Sequence, residues 1–254
     1  MMRQTLAIAR YTALEALRAR AAISAGALLV LLFAASYFIR EIAIADSHRL
    51  QTTFLAATSR LACVFIASLF IISAVVREFN DKGHLLLLSQ DLGRAQYVVG
   101  KFLGFTFPLA VLCVAAGVLE GLIAGFPHTL AWMLALVLEV ALMAAVSLFC
   151  ALSLRQVLPA AMLSLGFYLL ARGMADIQLI AHASLNGDGD ASQHLMARMA
   201  DGLALLLPRL DTFAASQLLV DGASQNLPAV LAQTLLYGAL ALTAATIDLF
   251  RREL

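Results

Sequence analysis

The run Leu130-Ala-Trp-Met-Leu-Ala-Leu-Val-Leu-Glu139-Val-Ala-Leu-Met-Ala-Ala-Val-Ser-Leu-Phe-Cys-Ala-Leu-Ser153 decides the class of this protein. Glu139 is its one charged residue. A helix rises about 1.5 Å per residue, so about 20 such residues cross a hydrocarbon core of ~30 Å. Comparable runs lie at roughly 21–39, 55–76, 102–124, 157–175 and 229–249. The 254 residues are 62% hydrophobic and 13% charged, whereas a soluble domain has about 45–50% and 25%. The expected fold is therefore all-α: a polytopic membrane protein with six transmembrane helices in a single domain, 1–254. The run at 21–39 exceeds the core of a cleaved signal peptide, about 7–15 residues, and is read as a retained first span.

The segments between the runs fix the topology. Residues 2–20 are rich in Ala and Leu and carry Arg3, Arg10 and Arg18 on one stripe that Leu14 interrupts; this pattern predicts an interfacial helix over 1–20. Residues 40–54 form a polar loop with Glu41, Asp46, His48 and Arg49, and Gly125-Phe-Pro-His-Thr129 makes a tight turn. Leu154-Arg155-Gln156 is a minimal connection. The segment 176–228 carries six aspartates and the loop Asn186-Gly-Asp-Gly-Asp190, with helices predicted over 194–207 and 212–220. Six spans place both termini on one side. Eleven of the 17 Lys and Arg residues then share that side, Arg3, Arg10, Arg18 and Arg20 among them, which predicts cytoplasmic termini. Residues 77–101 become cytoplasmic and 176–228 extracytoplasmic.

Catalytic patterns are missing. Gly93 to Lys101 comes nearest to a phosphate-binding loop, but six residues separate Gly93 from Gly100 and Phe102 stands where Ser or Thr should follow the Lys. There is no Gly-x-Ser-x-Gly elbow and no His-Glu-x-x-His pair. The chain is not read as an enzyme, and a net charge of +1 directs it to no nucleic acid. Ionisable residues inside spans come next, because hydrocarbon makes them expensive. Glu139 lies about nine residues into its span, or ~14 Å. Glu120 and Arg60 lie toward the outer ends of theirs. These three line a substrate path; alternatively Arg60 and Glu120 form an ion pair and Glu139 is hydrogen-bonded between helices. Cys63, Cys113 and Cys150 sit in apolar runs and read as packing residues. His194, Met196 and Met199 offer ligands for a soft ion, yet two methionines at i, i+3 also suit packing; no metal site is expected. Asp188 and Asp190 lack the twelve-residue calcium pattern.

The polar island Arg77–Lys101 stands apart. Leu85, Leu86, Leu87 and Leu88 form a short apolar helix with charged ends, punctuated by Gly83 and Gly93. It is too short to span and too apolar to stand free in water, so it should bury its leucines against the membrane face or a partner. In Arg77, Glu78, Lys82, Gly83, Leu85 to Leu88, Gly93, Arg94, Tyr97, Gly100 and Lys101 the chain resembles the type-2 ABC transporter permeases. Its flavour is that of the permeases linked to multicopper-enzyme maturation and to cytochrome c or haem assembly. It departs from the pattern at Leu92, where many relatives have Pro, and at His84-Leu85-Leu86, where many have Thr-Leu-Glu.

The resemblance implies an exporter half-unit in a bacterial inner membrane. Two permease chains, identical or closely paralogous, would pair, and two separate ATPase subunits would supply ATP and Mg²⁺, with no cofactor in this chain. The island would be the coupling helix, with Arg77, Glu78, Lys82, Gly83, Leu85 to Leu88, Arg94 and Lys101 at the ATPase. Two other readings stand beside it. One is an ion-coupled secondary transporter using Glu139 and Glu120. The other is a non-transporting membrane assembly scaffold whose segment 176–228 meets an extracytoplasmic partner protein.

Overall fold

The computed structural model describes residues 2–44, 46–80, 93–183, 191–220 and 226–251. Among them all regular structure is helical, without a strand. The helices are α1 (Met2–Arg18), α2 (Arg20–Ile42), α3 (Ser47–Asn80), α4 (Arg94–Ala124), α5 (Phe126–Leu154), α6 (Val157–Ala183), α7 (Ala191–Leu206), α8 (Gln217–Val220) and α9 (Leu227–Arg251). A 3-10 turn, Leu210–Thr212, precedes α8. Six of them, α2 to α6 and α9, are long and apolar enough to cross a membrane. The protein is a multi-pass membrane protein. Lys82, Gly83, Leu85, Leu86, Leu87, Leu88, Asp188 and Asp190 lie outside the described residues, as do the side chains of Arg94, His194 and Met196.

The run 130–153, within α5, is the central helix. In α5 72% of the apolar window is buried, against 17% in α2 and in α9. Helices α3, α4, α6 and α9 pack around it. Polar side chains tie neighbours where lipid supplies no hydrophobic drive between helices. Ser147 and Ser164 share a hydrogen bond of 2.9 Å between α5 and α6, and Gln51 Nε2 donates to Ser36 Oγ at 3.4 Å between α3 and α2. The cysteines Cys63, Cys113 and Cys150 are free and buried, consistent with packing.

Several helices run past their apolar cores. Residues 47–54, expected as loop, form the first two turns of α3. Gln51 and Thr52 are buried there, and His48 Nε2 lies 3.1 Å from the Ile123 carbonyl oxygen at the end of α4. Those partners keep polar residues helical beyond the apolar stretch. Helix α4 likewise starts at Arg94 and α6 continues to Ala183. The α4–α5 connection shrinks to one non-helical residue, Gly125, at φ 89°, a conformation glycine adopts without a Cβ clash.

Helix α1 is docked on α4 through Ile8, Thr12 and Ala16, all buried. The approach is permitted by Gly100 and Gly104, one helical turn apart, in the small-x-x-x-small arrangement that lets helix backbones meet. A Cβ at Gly104 would stand 2.6 Å from the Thr12 Cβ and 2.8 Å from the Ala9 carbonyl oxygen. Gly104→Leu is therefore expected to lift α1 off α4 at a cost of about 1–3 kcal/mol. Thermal unfolding in detergent and limited proteolysis would show a lower melting temperature and early cleavage within 2–18; a wild-type profile would contradict this packing.

Candidate functional site

Two polar clusters lie within the bundle. The first sits where α3 ends and α4 begins, the two helix ends that flank residues 81–92. Three successive residues of α3, about 100° apart around the helix, reach three different neighbours. Arg77 Nη2 pairs with Glu15 Oε1 of α1 at 3.7 Å, both side chains exposed. Glu78 Oε2 meets Lys101 Nζ of α4 at 2.6 Å, with side-chain exposures of 18% and 5%. Phe79 lies under the Arg155 guanidinium of the α5–α6 turn, 5.2 Å from ring centroid. The Lys101 ammonium is 5.9 Å from the ring centroids of both Tyr97 and Phe105, and Tyr97 lies beside Glu78.

These contacts differ in weight. The Arg77–Glu15 pair is solvated and contributes little. In the Glu78–Lys101 pair the ammonium is nearly buried, so removing Glu78 would leave it without a counter-charge in a poorly solvated place. Aromatic faces on two sides favour the cation further. The arrangement clamps the ends of α3 and α4 to each other and to α1. Of the island residues named from sequence, the structure brings Arg77, Glu78, Tyr97 and Lys101 into this cluster.

The second cluster lies deeper, toward the opposite end of the bundle. Twelve residues lie between Ser47 and Arg60 in α3, and twelve between Phe126 and Glu139 in α5. Glu139 is fully buried, and its Oε1 lies 3.5 Å from Arg172 Nη1 of α6. Arg60 and Tyr168 adjoin the same carboxylate. Two guanidinium groups thus face one carboxylate, and the excess positive charge needs acceptors. Backbone supplies them. Arg172 Nη1 donates to the carbonyl oxygens of Leu210 and of Phe213, the latter at 2.8 Å. Arg60 Nη1 and Trp132 Nε1 both donate to the Ala214 carbonyl oxygen, each at 2.8 Å. The stretch 210–214 is folded into the bundle by three donors from three helices.

Ala214 adopts φ 39°, a left-handed conformation that costs an alanine roughly 1–2 kcal/mol. It is buried completely, and its doubly occupied carbonyl holds it there.

Glu120 belongs to neither cluster. It is buried, with Ser59 Oγ 3.5 Å from its Oε1, and it forms no ion pair among the described residues. The expected Arg60–Glu120 pair is not made. Ser59 takes the side of α3 that faces α4, and Arg60, one residue and about 100° further round, turns to α5 and α6. Arg172, Trp132 and Tyr168 were not singled out from sequence. An arginine inside an apolar run and the chain's one tryptophan were the available signals, since each donor requires an acceptor in hydrocarbon. In the segment 176–228, α7 packs against α6, where Gln178 Nε2 donates to Asp201 Oδ1 at 3.0 Å and His182 Nε2 lies 3.4 Å from the same oxygen. Met199 is exposed. Among the described residues no three His, Cys, Asp or Glu side chains gather.

No protein-family model matches the chain, and no curated protein matches it.

The deeper cluster makes a graded prediction. Arg172→Met removes the ion pair and the donor to 210 and 213 together, and is expected to cost about 3–5 kcal/mol. Ala214→Gly keeps the carbonyl while relieving φ, and should leave the melting temperature equal to or above wild type. Differential scanning fluorimetry in detergent distinguishes the two; equal destabilisation would contradict the geometry.

Proposed function

We propose that the chain is the membrane-spanning permease subunit of an ATP-driven ABC transporter of the type-2 class, working as an exporter. Residues 81–92 serve as its coupling element, seated on a separate ATPase. The partly buried Glu78–Lys101 pair at 2.6 Å carries this reading. A coupling element transmits movement only if the helices on both sides of it are fixed to the bundle. Here the α3 and α4 ends that flank 81–92 are fixed to each other by Glu78–Lys101, to α1 by the packing at Gly100 and Gly104, and to the α5–α6 turn by Phe79. The sequence resemblance over 77–101 and the missing phosphate-binding loop support the same division of labour: the partner binds ATP and Mg²⁺, and this chain responds.

In this reading two permease chains pair over two ATPase subunits in a bacterial inner membrane. The α1 end of the bundle faces the cytoplasm, in keeping with the Lys and Arg distribution, and α7, the 3-10 turn and α8 lie at the opposite face. The ion-coupled alternative draws less support. Of its two acids, Glu139 is fully buried and engaged by Arg172, so a cation would have to displace a guanidinium, and Glu120 is buried with Ser59 as its hydrogen-bond partner.

The test is coexpression with the candidate ATPase and reconstitution of both in lipid nanodiscs. Glu78→Gln and Lys101→Met are each expected to leave complex assembly intact while abolishing the permease-dependent change in ATP turnover. Failure of the ATPase to copurify with wild-type chain, or wild-type coupling in both variants, would overturn the proposal.

A further inference from the structure

A cleft of about 790 Å³ opens between α1, α2 and α3. Its polar lining is Tyr11, Glu15, Arg18, Arg20, Ser73 and Arg77, three cations against one acid. Glu15 is engaged by Arg77. Among the described residues neither Arg18 nor Arg20 forms an ion pair. The level of the cleft is set twice over. Arg18 and Arg20 stand just before the apolar core of α2, and Arg77 just after that of α3, so the three guanidinium groups ring the membrane–water boundary.

A second cavity of about 230 Å³ borders the first and is lined wholly by apolar residues of α1, α2, α3 and α4. Ala21 and Phe70 line both, so the two spaces adjoin. Ala25, Gly26, Pro108 and Leu112 carry the second onward along the spans. At Gly26 a Cβ would meet nothing within 4 Å; the groove is open there. The joined space is therefore cationic at the boundary and apolar below it, the polarity profile of one lipid molecule. Arginine matches a phosphate with paired N–H donors, and basic residues at this level attract anionic lipid. A free ion would leave the apolar groove without a role.

We propose that this cleft and groove bind one anionic membrane phospholipid, its phosphate held by Arg18, Arg20 and Arg77 and part of an acyl chain lying along Ala25 and Gly26. The site shares Arg77 with the cluster at the end of α3, but it is tested without an ATPase. Detergent-purified chain is titrated with palmitoyl-oleoyl phosphatidylglycerol, and in parallel with phosphatidylcholine of the same chains, and bound lipid is counted by native mass spectrometry. Wild type should retain one phosphatidylglycerol with about tenfold preference over phosphatidylcholine, and excess inorganic phosphate should not displace it. Arg18→Gln/Arg20→Gln, and separately Arg77→Gln, should remove most of the preference. Gly26→Leu should lower retention of both lipids, with an unchanged melting temperature, because the leucine enters open space. Equal retention of the two lipids by wild type, displacement by inorganic phosphate, or undiminished retention in Gly26→Leu would each overturn the proposal.

Discussion

An arginine buried among apolar helices must be given acceptors, and the far half of this bundle is arranged around that need. Glu139 can offset one guanidinium, yet Arg60 and Arg172 both approach it. The remaining acceptors are backbone carbonyls of 210–214. The requirement runs both ways, since a stretch of chain without regular helix has carbonyls of its own that hydrocarbon cannot satisfy. Arginine, carboxylate and turn thus depend on one another. Trp132 adds a third donor and the strained Ala214 presents the shared acceptor. The result is a short non-spanning segment sealed into the end of a membrane bundle.

Helix α3 joins this seal to the other cluster. It runs unbroken from Ser47 to Asn80, so Arg60 and Glu78 sit about 27 Å apart on one rod. At one end the rod holds the carbonyl of Ala214; at the other its last turn meets α1, α4 and the α5–α6 turn. In the proposed function a push at 81–92 moves α3 and α4 together, because Glu78 and Lys101 join them and Gly100 and Gly104 hold α1 against α4. The rod then bears directly on the hydrogen bonds that keep 210–214 in place. The cationic cleft lies beside the same helix, between α1 and α2, where lipid would fill the space that loosely packed α2 leaves open.

The six spans were legible because crossing a membrane depends on composition over about 20 residues and little else. Their true ends were not, since helices persist wherever polar residues find partners: Gln51 with Ser36, His48 with the end of α4. Glu139 was legible as an expensive acid, but the arginines beside it are held by main-chain carbonyls, which no side-chain pattern announces. The Arg60–Glu120 pairing failed on rotation about a helix axis, a quantity that depth along a span does not contain. Gly100 and Gly104 carried the α1 contact in plain view; their spacing gains meaning only once a partner helix is known to lie across them. For 77–101, charge and glycine pattern picked out Glu78 and Lys101, while the contacts of Phe79 and Tyr97 required the fold.

The dependence of the 210–214 segment on the buried arginines can be measured by distance. Spin labels at Gln217→Cys and Leu130→Cys occupy exposed positions, and the three native cysteines are buried. Double electron–electron resonance on the labelled chain in nanodiscs should give a single narrow distance, and Arg172→Met in the same background should broaden it toward longer values. An unchanged narrow distance in the variant would contradict the view that arginine–carbonyl bonds hold this segment in the bundle.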